Sequence, residues 1–205
     1  MFLALAKNLS SYDGKDRWYA PEIFAVRQMC VTDSTVGSHG AAAGLNRGRL
    51  TKPVDVEVVL NQGDRDSLYS GGNVINPIAK FDQDGIVIFG QRTTERASKV
   101  TNRVNVRRMM LDIREVVLDA TRQFAFEPND KFTWEQIPEV IYPVLSNLVT
   151  NRGITDFSVT CDETTNTPLR VDRNEMWCKV VILPTRTAEM IVMEVNITNQ
   201  ASKVE

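Results

Sequence analysis

The chain has 205 residues, of which 42% are apolar and 24% charged, a composition that supports a folded domain with a sizeable core. Its 24 basic and 26 acidic residues leave a net charge of −2, which argues against general affinity for nucleic acids. It contains no run of about 18 apolar residues, so no membrane insertion is expected. The three cysteines show no CxxC spacing, which argues against a disulfide framework and favours a reducing compartment.

In the first half of the chain, the residue pattern predicts short elements separated by turns. Pro21 suits the first turn of a helix, and residues at helical spacing follow it. Asp64 is expected to cap a second, shorter helix. The predicted elements are a helix at 21–30, a glycine-rich loop at 33–50, a half-buried strand at 54–60, a short helix at 65–71, and strands at 78–81 and 85–89 around a turn.

In the second half, two long helices and three strands are predicted. Apolar residues recur every three or four positions from 103 to 123, which indicates the main core helix. Thr133 and Gln136 form a possible capping box that opens a helix to about residue 150, with Pro138 as an alternative start. Asn151 and Gly153 are expected to end this helix. The predicted strands are 154–161, 175–183 and 190–197.

The order of these elements indicates the fold class. Strands and helices alternate irregularly, which is typical of an α+β (mixed α/β) protein. We therefore expect a central mixed β-sheet flanked by helices, with an extended strand or arm at the C-terminal end.

The sequence does not assemble a recognisable active site. The one histidine, His39, lies in a small-residue loop, and no GxSxG motif accompanies it. No GxxxxGK[ST] phosphate-binding motif occurs, and Asp162 with Glu163 lacks the ligand spacing of a calcium-binding loop. A protein that is not an enzyme and binds no metal or cofactor is expected. A hydrolase centred on His39, or on Asp162 and Glu163, is the alternative.

Basic residues concentrate between positions 91 and 108. This segment contains six cations and one acid, a local charge of +5. The cations are Arg92, Arg96, Lys99, Arg103, Arg107 and Arg108. Part of the cluster is the expected solvated side of the core helix, where Arg108 can pair with Asp112 and Asp119 with Arg122. A nucleic-acid-binding module is the alternative, but no reader motif and no interleaved aromatic residues support it.

Eight motifs occur in one order along the chain and together resemble the conserved C-terminal part of contractile tail sheath proteins. They are GAAAGLNRGRL (40–50), NVINPI (73–78), GIVIFGQRTT (85–94), RVNVRRMM (103–110), FAFEPND (124–130), TWEQI (133–137), FSVTCDETTNTP (157–168) and ILPTRTAEMIVMEV (182–195). Each motif alone is weak, whereas eight in the family's order are specific. The chain departs from the family pattern at Ala42 and Thr187, where proline is common.

The resemblance implies a structural subunit that assembles into a helical sheath around a tail tube. The sheath then contracts and drives the tube through the host envelope during genome delivery. The implied partners are copies of the subunit, the tail tube protein, and baseplate and tail terminator proteins, with no nucleic acid. The implied location is the virion tail of a myovirus-type bacteriophage, or a related contractile injection system, after assembly in the host cytoplasm. Because sheath subunits are usually longer, the chain is expected to correspond to their inner conserved domain.

Three regions are expected: a leading segment or truncated arm at 1–12, the core domain at 13–189, and a C-terminal strand and arm at 190–205. The strand consists of Met190, Ile191, Val192, Met193, Glu194, Val195, Asn196 and Ile197. Such a β-prone strand is an aggregation hazard when exposed at an edge, so its addition to a neighbouring subunit's sheet is expected. An ordinary core strand within its own subunit is the alternative.

The resemblance also gives the basic residues a specific prediction. Arg92, Arg96, Lys99 and Arg103 are expected to pair with acidic groups on a neighbouring subunit or on the tail tube. One exposed pair contributes only about 0–1 kcal/mol. Many such pairs repeated along a lattice would set its register and still be broken and remade during contraction.

Overall fold

The computed structural model describes residues 2–3, 5–10, 12–70, 74–97 and 99–189, and the predicted strand 190–197 lies outside them. The strands in the described ranges are β1 Phe2–Leu3, β2 Ala6–Leu9, β3 Asp16–Tyr19, β4 Asp55–Val56, β5 Asn76–Phe81, β6 Gly85–Ile88, β7 Ile154–Thr160 and β8 Lys179–Pro184. The α-helices are α1 Pro21–Thr35, α2 Gly44–Arg47, α3 Gln62–Ser70, α4 Val104–Thr121, α5 Lys131–Thr150 and α6 Pro168–Asp172. Short 3₁₀ turns precede and follow α4, at Val100–Asn102 and Arg122–Phe124. The predicted α+β class is confirmed.

Across the described residues, the strands form three small sheets rather than one central sheet. The first is mixed, with β1 parallel and β6 antiparallel to the middle strand β5. The second is antiparallel, with β2 between β3 and β4. The third is the two-stranded antiparallel pair β7–β8. Because the leading strands β1 and β2 belong to the first two sheets, part of the 1–12 segment pairs with the core domain.

The β5–β6 hairpin forms at the predicted place, with Phe81 opposite Gly85 and Ile78 opposite Ile88. The other edge of β6 is paired by part of the predicted glycine-rich loop: Leu50 donates its N–H to the Ile86 carbonyl at 2.8 Å, and Ile88 donates to the Gly48 carbonyl at 2.9 Å. A Cβ atom at Gly48 would lie 2.6 Å from the Ile88 carbonyl oxygen. Glycine is therefore required there because two backbones approach closely.

Two apolar clusters form the interior, one in each half of the chain. The first lies among α1 and the first two sheets and consists of Ala6, Phe24, Ala25, Leu50, Val56, Ile78, Ile86 and Ile88. The second lies among α4, α5 and β7–β8 and consists of Met109, Ile113, Trp134, Ile137, Ile141, Leu145, Ile154 and Cys161. We call them the first core and the second core. Met109, 1% exposed, is core packing as predicted.

Three predicted elements differ from the structure by four or more residues at one end. Helix α1 continues to Thr35, five residues beyond the predicted end, and the hydroxyls of Thr32 and Thr35 bond to carbonyls of the preceding turn. The predicted strand 54–60 shrinks to Asp55–Val56, because β2 offers it only two paired positions. The predicted strand 175–183 begins only at 179, because the Asn166 side chain bonds both backbone groups of Trp177.

The two predicted helix caps are wrong in a similar way. Helix α3 is capped by Asn61, whose side chain accepts the Asp64 N–H at 2.9 Å, while Asp64 accepts the Asn61 N–H at 3.1 Å. Asp64 is thus the third helical residue of a reciprocal capping pair. Helix α5 is capped by Asp130, which accepts the Thr133 N–H at 3.0 Å. In both cases the true cap lies three positions before the predicted one, and its short polar side chain accepts the N–H of the predicted cap residue.

Helix α5 ends at Thr150 with Asn151 as its C-cap, as predicted, but it differs from prediction in its interior and in the role of Gly153. It continues through Pro138 and Pro143, so Pro138 does not start it. The residue in the left-handed region after α5 is Arg152, with φ 62°, rather than a glycine. Gly153 is needed for another reason: a Cβ there would lie 2.9 Å from Cγ of His39.

The ion pairs on α4 agree with prediction only in part. Asp119 pairs with Arg122 at 3.3 Å, as predicted. Arg108, however, pairs with Asp33 of α1 and not with Asp112. This contact joins α4 to the extended end of α1, which the sequence had placed in a loop.

Candidate subunit interface

The backbone of Arg92 is fixed by Asn76, a residue of β5 that is 1% exposed. The Asn76 amide accepts the Arg92 N–H and donates to the Arg92 carbonyl, both at 2.8 Å. The guanidinium of Arg92 turns inward, donates to the Tyr69 carbonyl at 3.0 Å and stacks on the Tyr69 ring at 4.4 Å. Arg92 is therefore half-buried and held by contacts within its own chain.

Arg103 makes a bidentate contact with Glu189. Its Nε lies 2.5 Å from Oε1 of the carboxylate, and its Nη2 donates to Oε2 at 2.7 Å. The hydroxyl of Tyr69 donates to the same Oε1 at 3.0 Å. Both partners of the ion pair have side chains that are 24% exposed, so solvent screens it only partly. We call Tyr69, Arg103 and Glu189 the clamp.

A further contact holds the same segment. Gln91 donates from Nε2 to the hydroxyl of Thr187 at 2.6 Å. The chain leaves β8 at Pro184, beside the second core. In the following segment, 185–189, Glu189 is bonded to Tyr69 of α3 and Thr187 is bonded to Gln91, which follows β6. The hydroxyl of Thr187 thus anchors the segment.

The electrostatic surroundings of Tyr69 follow from this arrangement. Burial and the negative charge of Glu189 raise the pKa of the Tyr69 phenol above its usual value of 10.0. The phenol thus remains a hydrogen-bond donor to the carboxylate across the neutral pH range.

The other two predicted contact residues lie on the exposed loop between β6 and α4. Lys99 pairs with Glu95 at 3.7 Å, and both side chains are well exposed. Arg96 is exposed as well. That Arg92, Arg96, Lys99 and Arg103 contact a neighbouring subunit or a tube stays a prediction, with Arg96 and Lys99 as the outward-facing members of the set.

The β7–β8 pair has one covered face and one open face. Side chains from both strands, including Phe157, Val180 and Ile182, pack on the second core. On the other face, Val181 and Leu183 are 50% and 58% exposed. In the part of the chain that the structure describes, neither strand has a second strand beside it. The outer edges thus present backbone groups to which another strand can bond.

The residues considered for a hydrolase are not brought together. His39 lies against Gly153, just before β7, while Asp162 and Glu163 follow the other end of that strand. A seven-residue strand separates them by about 20 Å. Asp162 instead accepts the N–H groups of Thr164 and Thr165, and these bonds, with that of the Thr164 hydroxyl as the largest cause, lower its pKa. Among the described residues, no group of three or more potential ligands is placed to hold a metal ion, and no helix is long and apolar enough to cross a bilayer.

Comparison with known proteins confirms the resemblance drawn from the motifs. Residues 97–198 match the family model of the phage tail sheath C-terminal domain. The tail sheath protein of Vibrio phage KVP40 is 32% identical over 183 residues, which are 89% of this chain and 27% of that protein. The tail sheath protein of Enterobacteria phage T4 is 29% identical over the same share of each chain. The chain thus spans about a quarter of the length of these relatives.

Solved structures share the fold. The helical sheath of the anti-feeding prophage in its contracted state matches with a TM-score of 0.82 at 20% identity, over 95% of this chain and 54% of that one. The sheath complex of the extracellular contractile injection system PVC, also contracted, matches with a TM-score of 0.81 at 23% identity, over 93% and 54% of the two chains.

In sequence this chain is similar to tail sheath proteins, and it shares its fold with contracted sheaths. Residues 97–198 correspond to the phage tail sheath C-terminal domain. The relatives that match are structural sheath proteins, and the alternative of a nucleic-acid-binding module is not favoured.

Sequence reasoning missed two of the three clamp residues, Tyr69 and Glu189. Glu189 lies in the motif ILPTRTAEMIVMEV, directly before the predicted arm. An acidic residue at the boundary between domain and arm could have indicated a contact with one of the basic residues. Tyr69 gave no signal, because its role depends on α3 lying next to a segment 120 residues away.

Proposed function

We propose that this chain is the C-terminal, inner part of a structural subunit of a contractile tail sheath. Copies of the subunit assemble into a helical array around a tail tube, in the virion tail or in a related injection particle. Contraction of the array drives the tube through the host envelope. The family-model match over 97–198 and the fold shared with contracted sheaths support this function. Assembly in the host cytoplasm, and contacts with tube, baseplate and terminator proteins, are the finer parts of the proposal.

The observation that carries the proposal is the clamp on Glu189. Arg103 and Tyr69 hold this carboxylate at the last described position before the predicted strand 190–197. A strand that leaves the domain from a fixed point reaches a neighbour with less loss of conformational freedom on binding. The clamp thus suits an arm that joins one subunit to the next.

The β7–β8 sheet is the acceptor that we propose for such an arm. Its outer edges have no partner strand within the described ranges, and its outer face carries Val181 and Leu183. Addition of an extended strand would satisfy the edge backbone groups and cover this apolar surface. Because donor and acceptor lie at different places on the subunit, the contact is head-to-tail and generates a helical array rather than a closed dimer.

Contraction then becomes a rearrangement of rigid domains linked by arms. The domains rotate and shift from an extended to a compact lattice while the arm strands remain paired. Exposed ion pairs made by Arg96 and Lys99 are weak enough, at about 0–1 kcal/mol each, to be exchanged during this movement.

Deletion of residues 190–205 in the full-length protein tests the arm. We expect the variant to fold with an unchanged thermal unfolding midpoint and to form no sheaths or polysheath tubes in electron micrographs. Deletion of 198–205 alone is the matched control, because it keeps the predicted strand and should permit assembly. Normal tubes from the longer deletion would contradict the proposal.

A further inference from the structure

The three cysteines occupy different environments. Cys30 is exposed on α1, whereas Cys161 and Cys178 lie at the connected end of the β7–β8 pair. Thr160 is opposite Lys179 in this sheet, so the next opposed positions are Cys161 and Cys178. Both side chains pack against the second core, so they lie on the same face of the sheet.

This position satisfies the geometry of a disulfide. Directly opposed residues of antiparallel strands have Cα atoms about 4.5–5.5 Å apart, and a disulfide spans about 4.4–6.8 Å. The Cys161 thiol donates to the carbonyl of Trp177, the residue next to Cys178, at 3.6 Å. A bond between the sulfurs therefore requires side-chain rotation rather than movement of the strands.

Asn166 fixes this arrangement from the connecting loop. Its side chain is 2% exposed, and it accepts the Trp177 N–H at 2.7 Å and donates to the Trp177 carbonyl at 3.2 Å. Its Nδ2 also lies 3.6 Å from the Cys161 sulfur. One buried amide thus holds the residue next to Cys178 against Cys161, which limits how far the two thiols can separate.

We propose that Cys161 and Cys178 are a dithiol that a peroxide closes to a cross-strand disulfide, joining β7 and β8 at their connected end. The structure describes the reduced form, with both thiols free. The cross-link would enclose residues 162–177, the loop that contains α6. This inference does not depend on the proposed sheath function.

The oxidation needs two steps and one equivalent of hydrogen peroxide. The sulfur of Cys178 is the more accessible of the two, since Cys161 is only 7% exposed. Cys178 attacks the peroxide as a thiolate, the O–O bond breaks, and a sulfenic acid and water form. The Cys161 sulfur then attacks the sulfenic sulfur, the disulfide forms and a second water leaves. The two sulfurs together lose two electrons, and both thiol protons end in water.

The surroundings set the conditions for this reaction. Burial raises the pKa of the Cys178 thiol to about 12 and also raises that of Cys161, to which the negative charge of Asp162 contributes. Because only the thiolate reacts, closure is slow at neutral pH and accelerates as the pH rises. A reducing compartment keeps the pair open, and an oxidising one allows it to close.

The experiment treats the folded protein with hydrogen peroxide at pH 9 and analyses it without reductant. We expect the intact mass to fall by two hydrogens and a peptide map to contain Cys161 linked to Cys178. Because the closed loop, 162–177, is 16 residues long, the thermal unfolding midpoint should rise by about 6–12 °C, and reductant should reverse both changes.

Two variants make the result decisive. Cys30→Ser should behave as the parent protein, and Cys178→Ser should show neither the linked peptide nor the shift in midpoint. Since Cys178 is only half-buried, serine is tolerated there more readily than at Cys161. Free thiols at both positions after treatment, or links that involve only Cys30, would overturn the proposal.

Discussion

Arg103 and Glu189 are 86 residues apart in the sequence and meet in a bidentate ion pair. The arginine stands at the start of α4, and the glutamate is in the segment that follows β8. Tyr69 of α3 joins them through its hydroxyl. Three separate parts of the chain thus converge on one carboxylate.

Glu189→Gln is expected to lower the free energy of unfolding by about 1–2 kcal/mol, because hydrogen bonds to a partly buried charge exceed those to a neutral amide. Arg103→Lys should have a similar effect, since lysine cannot make the bidentate contact. Urea denaturation measures both. Arg107→Lys, on the exposed side of the same helix, is the control and should change stability by less than about 0.5 kcal/mol. Equal values for all three variants would show that the clamp does not stabilise the domain.

Charge-reversal variants should distinguish basic residues that stabilise the domain from exposed basic residues that contact a neighbouring subunit. Lys99→Glu, at a side chain 65% exposed, is expected to leave the unfolding midpoint unchanged and to impair sheath assembly. Arg92→Glu is expected to destabilise the isolated domain by about 2–3 kcal/mol, because it places a carboxylate against the Tyr69 ring and carbonyl. Circular dichroism melting and electron microscopy give the two readouts. Normal assembly by Lys99→Glu would remove the exposed loop from the lattice contacts.

The contact between His39 and Gly153 predicts a rescue. Gly153→Ala should cost about 1–3 kcal/mol, because the new methyl group would lie 2.9 Å from Cγ of His39. His39→Ala removes that ring but keeps the Cβ atom, which would lie 3.0 Å from the new methyl group, so the double variant should regain part of the loss in a denaturation experiment. Gly48→Ala is the contrasting case, since its methyl group meets the Ile88 carbonyl at 2.6 Å and no side-chain change relieves it. Additive losses in the His39 and Gly153 pair would contradict the packing argument.

Alkaline pH is expected to destabilise the protein. Burial raises the folded-state pKa of Tyr69 above 10.0 and that of Cys178 from 9.0 to about 12. Each group therefore stabilises the fold fully below its unfolded pKa, and this contribution is lost as the pH rises through the folded pKa. The free energy of unfolding, measured in reductant, should fall between about pH 9 and pH 12. A Tyr69→Phe, Cys178→Ser double variant should show a shallower fall, and an identical pH profile would refute the assignment.

Local sequence patterns correctly predicted the elements that are specified by residues close together in the sequence. The periodicity of 103–123 gave α4, and the turn between two apolar runs gave the β5–β6 hairpin. The alternation at 54–60 predicted too long a strand: Val56 is buried, but Val54 and Val58 are 63% and 46% exposed. Alternation reports β-propensity, whereas strand length depends on how many partner residues β2 provides.

The basic cluster shows a further limit of the sequence. Six cations in 18 positions predicted a contact surface, yet Arg92 and Arg103 are occupied by Tyr69 and Glu189 from distant parts of the chain. Arg108 likewise forms its ion pair with Asp33 and not with the predicted partner, Asp112. Charge counts along the sequence do not reveal which charged side chains folding engages, because the partners lie 23, 75 and 86 residues away.

The path of residues 185–189 determines how the domain bears mechanical load. β8 is paired along only one edge in the described structure and would unzip residue by residue if it were pulled directly. Tension applied beyond Glu189 reaches Arg103 and Tyr69 before it reaches β8. It then passes into α4 and α3, and α3 packs against β5. The clamp therefore takes up tension in the chain before that tension reaches the β7–β8 pair.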